Sequence, residues 1–255
     1  MTRRRRIAWA AVLVLAVVSG LGIAIHANAL EGRMLRADPE AAAGDSRLMA
    51  FAAPRGKRVY QAHCVTCHGA GGQGDRARGV ADLTDNDWLY GDGLVSDIEQ
   101  VVTFGIRAHT PRTWNLAEMP AYATPVPTKS EKIPPLSPGD IRDVTELLMQ
   151  IEGQPADAAA AARGSVIFQN RGGCFDCHGN DARGDSAIGA PNLTDRIWLY
   201  GDGSREAIGR SIAYGMHGIC PAWHARLRPA AIREVALYVH GLSHSPKAPA
   251  RSAQP

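Results

Sequence analysis

The sequence has few aromatic residues, and this scarcity limits how it can build a core. Phe, Trp and Tyr make up 6% of the 255 residues, while glycine occurs 27 times and proline 16 times. Frequent glycine and proline predict that much of the chain is loop. A chain of this length has room for about two domains. Loop-rich domains of that size need something besides apolar side chains to fold around.

Two common kinds of binding site are missing from the pattern. The glycines of Gly69–Gly74 follow no predicted strand and precede no Lys-Ser/Thr pair, so they do not indicate a phosphate-binding loop. The one basic run, Arg3–Arg6, directly precedes an apolar segment, so we do not expect nucleic acid as a partner.

Charge is absent from Ile7–Ile25. At ~1.5 Å per residue such a helix is about 28 Å long, which is enough to cross a bilayer core. Arg3–Arg6 would stay cytoplasmic and place the rest of the chain in the periplasm. The alternative is a signal cleaved near Ala29, which would leave a soluble periplasmic protein. The run exceeds the about 7–15 apolar residues of a signal core, which favours an uncleaved single-pass anchor in a bacterial inner membrane.

The sequence Cys64-Val65-Thr66-Cys67-His68 has the C-x-x-C-H pattern of covalent haem attachment. The two thiols can add to the haem vinyl groups, and the histidine can bind the iron from one side. A thioredoxin-like pair or half of a zinc site are the alternatives for a single copy. The pattern recurs as Cys174-Phe175-Asp176-Cys177-His178, so we predict two covalent haem c groups.

The two motifs belong to a longer internal repeat whose copies lie 110 residues apart over its first part. The matched segments are Leu83–Asp85 with Leu193–Asp195, and Trp88–Gly93 with Trp198–Gly203. Further along, Met119–Tyr122 faces Cys220–Trp223, and Ile141–Val144 faces Ile232–Val235. The shifts in offset place two insertions in the first copy, around Thr110–Glu118 and Val126–Leu136.

Met119 is the candidate second axial ligand of the first haem, opposite His68. It lies in a predicted loop and is followed by Pro120. Methionine is a common ligand in c-type cytochromes and raises the potential. A core methionine is the alternative role, and His109 is the nearest rival ligand.

Cys220 occupies the matching position in the second copy, and it is the one cysteine of five that the attachment motifs do not use. It could be an unpaired buried thiol, half of an intermolecular disulfide, or a ligand. Its position in the repeat favours a ligand of the second haem, opposite His178, where a thiolate would lower the potential. Met216 and His217 are rivals, and an iron without a sixth ligand is the remaining possibility.

Apolar spacing predicts a helix that begins at Pro54, followed by helices over Leu94–Gly105 and Ile141–Glu152. The repeat predicts their counterparts over Arg163–Asn170, Glu206–Gly215 and Pro229–Leu242. We expect an anchor or signal at 1–29, a neck at 30–51, a first domain at 52–152, a linker at 153–162, a second domain at 163–243 and a disordered tail at 244–255.

The doubled pattern resembles the dihaem subunit, subunit III, of cbb-type haem–copper oxidases. The residues that carry the resemblance are Gly56, Tyr60, Cys64–Gly69, Leu83–Asp85, Trp88–Gly91 and Met119-Pro120, with their second-copy counterparts. The resemblance implies an all-α fold of two tandem cytochrome c domains behind a single transmembrane helix. It also implies covalent haem at both cysteine pairs and periplasmic one-electron transfer.

Two functional classes follow. The first is an electron carrier between a respiratory donor and acceptor, whose partners would be an oxidase, a dehydrogenase or a soluble cytochrome. No acid–base cluster accompanies either motif, so we predict no catalytic residues. The second class is a cysteine-ligated dihaem enzyme that acts on a small sulfur substrate such as thiosulfate.

Overall fold

The computed structural model describes residues 3–127, 132–133 and 135–244. These residues form ten α-helices and one antiparallel pair of short strands, β1 (Val126–Pro127) and β2 (Lys132–Ile133). The predicted all-α class is confirmed. The predicted tail lies outside the described residues except for His244, and the second predicted insertion is described only in part.

Helix α1 spans Arg3–Arg36 and continues without a break past Ala29. Its segment Val12–Arg36 has a mean hydropathy of 2.0 and is long enough to cross a membrane. Side chains such as Leu13, Val17 and Ile23 are more than half exposed, so in water this helix would present a large apolar surface. Lipid is the surrounding that suits such a surface.

The segment expected to be a neck is part of the folded core. It contains the end of α1, helix α2 (Pro39–Gly44) and the start of α3 (Ser46–His63). Met34, Leu48 and Phe51 are buried. Helix α3 begins eight residues before Pro54, so the predicted start was wrong, because the carboxylate of Asp45 accepts bonds from the backbone N–H groups of Arg47 and Leu48.

The two repeats contain the same series of helices. The first repeat has α3, α4 (Val65–His68), α5 (Val95–Phe104) and α6 (Pro138–Ile151), and the second has α7 (Ala158–Gln169), α8 (Phe175–His178), α9 (Arg205–Tyr214) and α10 (Pro229–His244). Helix α7 begins before the predicted Arg163 because Asp157 caps its first turn. A capping box between Ser137 and Asp140 sets the start of α6.

The repeats exchange their last helices. Helix α10, from the second repeat, packs against α3 of the first, and α6, from the first, packs against α7 of the second. In each pair the two helices approach each other closely at a glycine. A Cβ at Gly56 would lie 1.9 Å from the carbonyl oxygen of Glu234, and one at Gly164 would lie 2.0 Å from that of Asp143. These contacts require a residue without a Cβ on α3 and on α7.

The exchange produces two apolar clusters, each built from both repeats. In one, which we call the α3–α10 half, α1, α3, α5 and α10 pack around Tyr60, Val95 and Leu237. In the other, the α6–α7 half, α6, α7 and α9 pack around Leu148 and Phe168. Cys64–His68 lies in the first half and Cys174–His178 in the second.

Candidate haem sites

Each C-x-x-C-H motif forms one short helical turn. Cys64 lies between α3 and α4, and α4 ends at His68 because Gly69 takes a φ of +77°. In the second copy α8 ends at His178, and Gly179 takes a φ of +75°. No cysteine is in a disulfide within the described ranges. The thiols of each pair are therefore free and one helical turn apart.

Both histidines are oriented by a backbone carbonyl. The Nδ1 atom of His68 lies 3.1 Å from the carbonyl oxygen of Ala81, and that of His178 lies 3.0 Å from that of Pro191. A carbonyl only accepts, so Nδ1 carries the proton and Nε2 keeps its lone pair. Burial lowers the pKa of both imidazoles, which favours the neutral form. This second bond is the usual support of a metal-binding histidine.

Cys220 lies near the first attachment motif, not the second. Burial, followed by the fields of Cys64 and Cys67, raises the pKa of its thiol to about 12. Its backbone pairs with Ile106 after α5, with N···O distances of 2.9 Å and 3.0 Å. Nearby, the N–H of Trp223 bonds to the carbonyl of Val102. Cys220 therefore lies in the α3–α10 half, with His68, whereas the sequence pattern paired it with His178.

Met119 occupies the corresponding place in the other half. It packs against the cluster that contains Cys174 and Phe175. A Cβ at Gly215, after α9, would lie 2.4 Å from the carbonyl oxygen of Met119. The N–H of Tyr122 bonds to the carbonyl of Ile212. Met119 therefore lies in the α6–α7 half, whereas the sequence pattern paired it with His68. The sequence offset pairs each candidate ligand with the histidine of its own repeat. In the structure the last helices are exchanged, and the loops that carry the candidate ligands lie in the half of the other repeat's histidine.

The three rivals are less well placed. Met216 directly follows Gly215 and so lies next to the loop that carries Met119. In the repeat it corresponds to Ile106, which pairs with Cys220. His217 and His109 are exposed. Among the described residues, the backbone of Cys220 pairs with that of Ile106, and the carbonyl oxygen of Met119 lies against Gly215.

A family model described as "Cytochrome C oxidase, cbb3-type, subunit III" matches residues 51–131 and 159–239. The chain belongs to this family. It is 41% identical over 218 residues to the cbb3-type cytochrome c oxidase subunit CcoP of Cereibacter sphaeroides, covering 85% of this chain and 70% of that one. It is 39% identical over 223 residues to CcoP of Rhodobacter capsulatus (84% and 70%), and 38% identical over 199 residues to subunit FixP of a Bradyrhizobium species (78% and 63%).

Membership of the cbb3-type subunit III family confirms the predicted resemblance, the two tandem cytochrome c domains and the function of electron transfer. It gives no support to the thiosulfate alternative. Cytochrome c membership implies haem c, and the donors fit it. Each half presents two free thiols, an imidazole with a free Nε2 and a sulfur-bearing residue from the other repeat.

The two halves of this family member meet at a seam that the sequence did not reveal. The ring of Tyr90 lies against Gly189, where an added Cβ would lie 2.2 Å from the ring atom Cε1. The ring of Tyr200 likewise lies against Gly79, where an added Cβ would lie 1.9 Å from its Cε1. Gly91 and Gly201 donate backbone bonds across the same seam. The repeated Trp-Leu-Tyr-Gly segment, at Trp88–Gly91 and Trp198–Gly201, was a signal for this contact.

Proposed function

We propose that the chain is the electron-carrying, membrane-anchored subunit of a cbb3-type cytochrome c oxidase, with two covalent haem c groups. The match of both repeats to the subunit III family is the observation that carries this proposal. Haem c would supply a one-electron Fe(III)/Fe(II) couple in each half. The protein's own residues attach the cofactor, orient the proximal imidazole and supply the opposite ligand.

Cys64 and Cys67 would attach the first haem and His68 would bind its iron, and we assign Cys220 as the residue that would supply the second iron ligand. Cys174 and Cys177 would attach the second haem, His178 would bind its iron, and Met119 would supply the second ligand. The positions of Cys220 and Met119 in the two halves support this exchanged assignment. A coordinating thiol is deprotonated, so Cys220 would release its proton to solvent and bind as thiolate.

Exchanged ligation is tested with two single-haem proteins, in which either Cys64 and Cys67 or Cys174 and Cys177 are changed to alanine. The protein that keeps Cys174 and Cys177 should show a methionine-bound ferric haem, and Met119→Leu should abolish that signature. The other should show a thiolate-bound low-spin signal in electron paramagnetic resonance, which Cys220→Ser should abolish. The opposite result would restore the pairing of each ligand with its own repeat.

The oxidase partner and the orientation rest on the relatives and on the N-terminal sequence. Four arginines before the apolar segment favour a cytoplasmic N-terminus and periplasmic haems in the inner membrane. A soluble cytochrome or a dehydrogenase would then donate electrons. The test is to purify the tagged chain from solubilised membranes and to measure oxygen consumption with a reduced soluble cytochrome. Failure to copurify an oxygen-reducing enzyme would contradict the proposal.

A further inference from the structure

Arg107 stands at the seam and contacts both loops that carry the proposed distal ligands. Its Nε donates to the carbonyl oxygen of Gly218 at 2.6 Å, and its Nη1 donates to that of Ala117 at 3.2 Å. Gly218 lies two residues before Cys220, and Ala117 lies two residues before Met119. One guanidinium therefore holds two loops that belong to different repeats and serve different halves.

The backbone of Arg107 is held in a conformation that non-glycine residues seldom adopt, with a φ of +48°. Its N–H bonds to the carbonyl of Trp114 at 3.0 Å, within the insertion found only in the first repeat. The indole Nε1 of Trp114 donates to the carbonyl of Ala187 at 2.9 Å. Such a conformation persists where the surroundings over-determine it, as they do here.

The guanidinium is half-buried and has no carboxylate within ion-pair distance in the part of the chain that the structure describes. It also lies 5.9 Å from the centroid of the Tyr90 ring, which Gly189 holds in place. The matching residue of the second repeat is His217, which is exposed. One residue, Arg107, thus contacts the loops of both sites, and the planar guanidinium of arginine can donate to two separate acceptors.

We propose that Arg107 is a positioning residue that sets the distal ligation of both haems at once, by fixing the loops that carry Met119 and Cys220. This inference rests on the ligand assignment proposed above. It predicts that one substitution, remote from both proximal histidines, weakens two iron–sulfur bonds together.

The test uses the two single-haem proteins and measures how tightly added imidazole displaces the distal ligand of each ferric haem. Arg107→Gln removes both bonds, so we expect the apparent affinity for imidazole to rise about tenfold at each haem, the size expected for a lost charged hydrogen bond. Arg107→Lys keeps the charge without the fork, and we expect a similar rise. Arg112→Gln is the control, because Arg112 is an exposed cation of the same insertion that stacks on Phe104.

The outcomes separate this inference from the ligand assignment. Suppose that Met119→Leu and Cys220→Ser each raise imidazole affinity at their own haem, but Arg107→Gln raises it at one haem or none. The proposed role of Arg107 is then wrong, and the ligand assignment stands. If Arg107→Lys has the imidazole affinity of the wild type, a positive charge alone is enough to hold the loops, and the proposed role of the arginine fork is again wrong. If the two ligand variants change nothing, the assignment itself fails. Should Arg107→Gln not fold, Arg107→Lys carries the test.

Discussion

A thiolate and a thioether differ by one negative charge at the iron, and this difference matters for the residue Cys220. The thiolate stabilises Fe(III) and lowers the potential, whereas methionine raises it. Cys220→Met should therefore raise the midpoint potential of the haem at Cys64 and Cys67 and leave the other haem unchanged. Spectroelectrochemical titration of each single-haem protein measures this. Met216→Leu is the control, because Met216 lies beside the loop that carries Met119 and should not change the potential of the first haem. An unchanged potential in Cys220→Met would mean that Cys220 does not bind this iron.

Glu234 is a buried carboxylate at the crossing of α3 and α10. It is 3% exposed, its Oε1 has no hydrogen-bond partner among the described residues, and Arg55 lies 3.8 Å away. Burial, opposed by Arg55, raises its pKa above 4.5. Because the folded pKa is the higher one, stability falls as pH rises from about 4.5 through that pKa. Glu234→Gln should remove this fall and stabilise the protein at pH 7.

Chemical denaturation between about pH 4 and pH 7 measures this effect. Glu146→Gln is the matched control of opposite sign. The hydrogen bond from Arg205 lowers the pKa of Glu146, so its contribution is present above the unfolded pKa and is lost as pH falls through the folded one. That variant should lose stability at pH 7. A loss at pH 7 for Glu234→Gln as well would mean that Arg55 outweighs the burial.

At the scale of the elements, the two helix crossings depend on glycine. A Cβ at Gly56 would also meet Cβ of Tyr238 at 2.8 Å, so Gly56→Ala must push α10 away from α3. We expect a destabilisation of about 1–3 kcal/mol, the usual cost of overpacking, measured by thermal or chemical unfolding. Gly241→Ala on α10 is the control, because its Cβ would lie 3.9 Å from Met49 in ordinary contact and alanine favours helix. Equal behaviour of the two variants would contradict this account.

The sequence predicted most helices and both attachment motifs because those features are local. Helical spacing, Gly69 and the C-x-x-C-H residues all lie within one or two turns. It did not predict which copy of a repeated helix would pair with which. Helices α6 and α10 present similar apolar faces, so a pattern within one repeat cannot distinguish its own partner from its copy. For the same reason the sequence pattern paired Cys220 with His178 and Met119 with His68, and Arg107 was missed because its contacts are far apart in sequence.

At the scale of the whole molecule, the exchange connects α10, from the second repeat, to the anchor. Arg233, on α10, donates to the carbonyl oxygens of Met34 at 3.0 Å and Ala37 at 3.2 Å, and it pairs with Glu99 on α5. Met34 lies in the last turn of α1 and Ala37 directly follows the helix, where carbonyls lack partners within the helix and a cation is favoured by the helix dipole. Arg228 adds a second link, 2.8 Å from Glu31. The α3–α10 half is thus fixed directly to the membrane helix.

Arg233→Gln should loosen this connection. Only about 10% of the Arg233 side chain is exposed, so its loss leaves Glu99 and two carbonyls without their partner and should cost about 3–5 kcal/mol. We expect proteases to release the haem domains from membrane vesicles faster than in the wild type. Arg163→Gln is the control, since it breaks an exposed ion pair with Asp143 in the other half. Equal release by both variants would show that α10 does not hold the anchor.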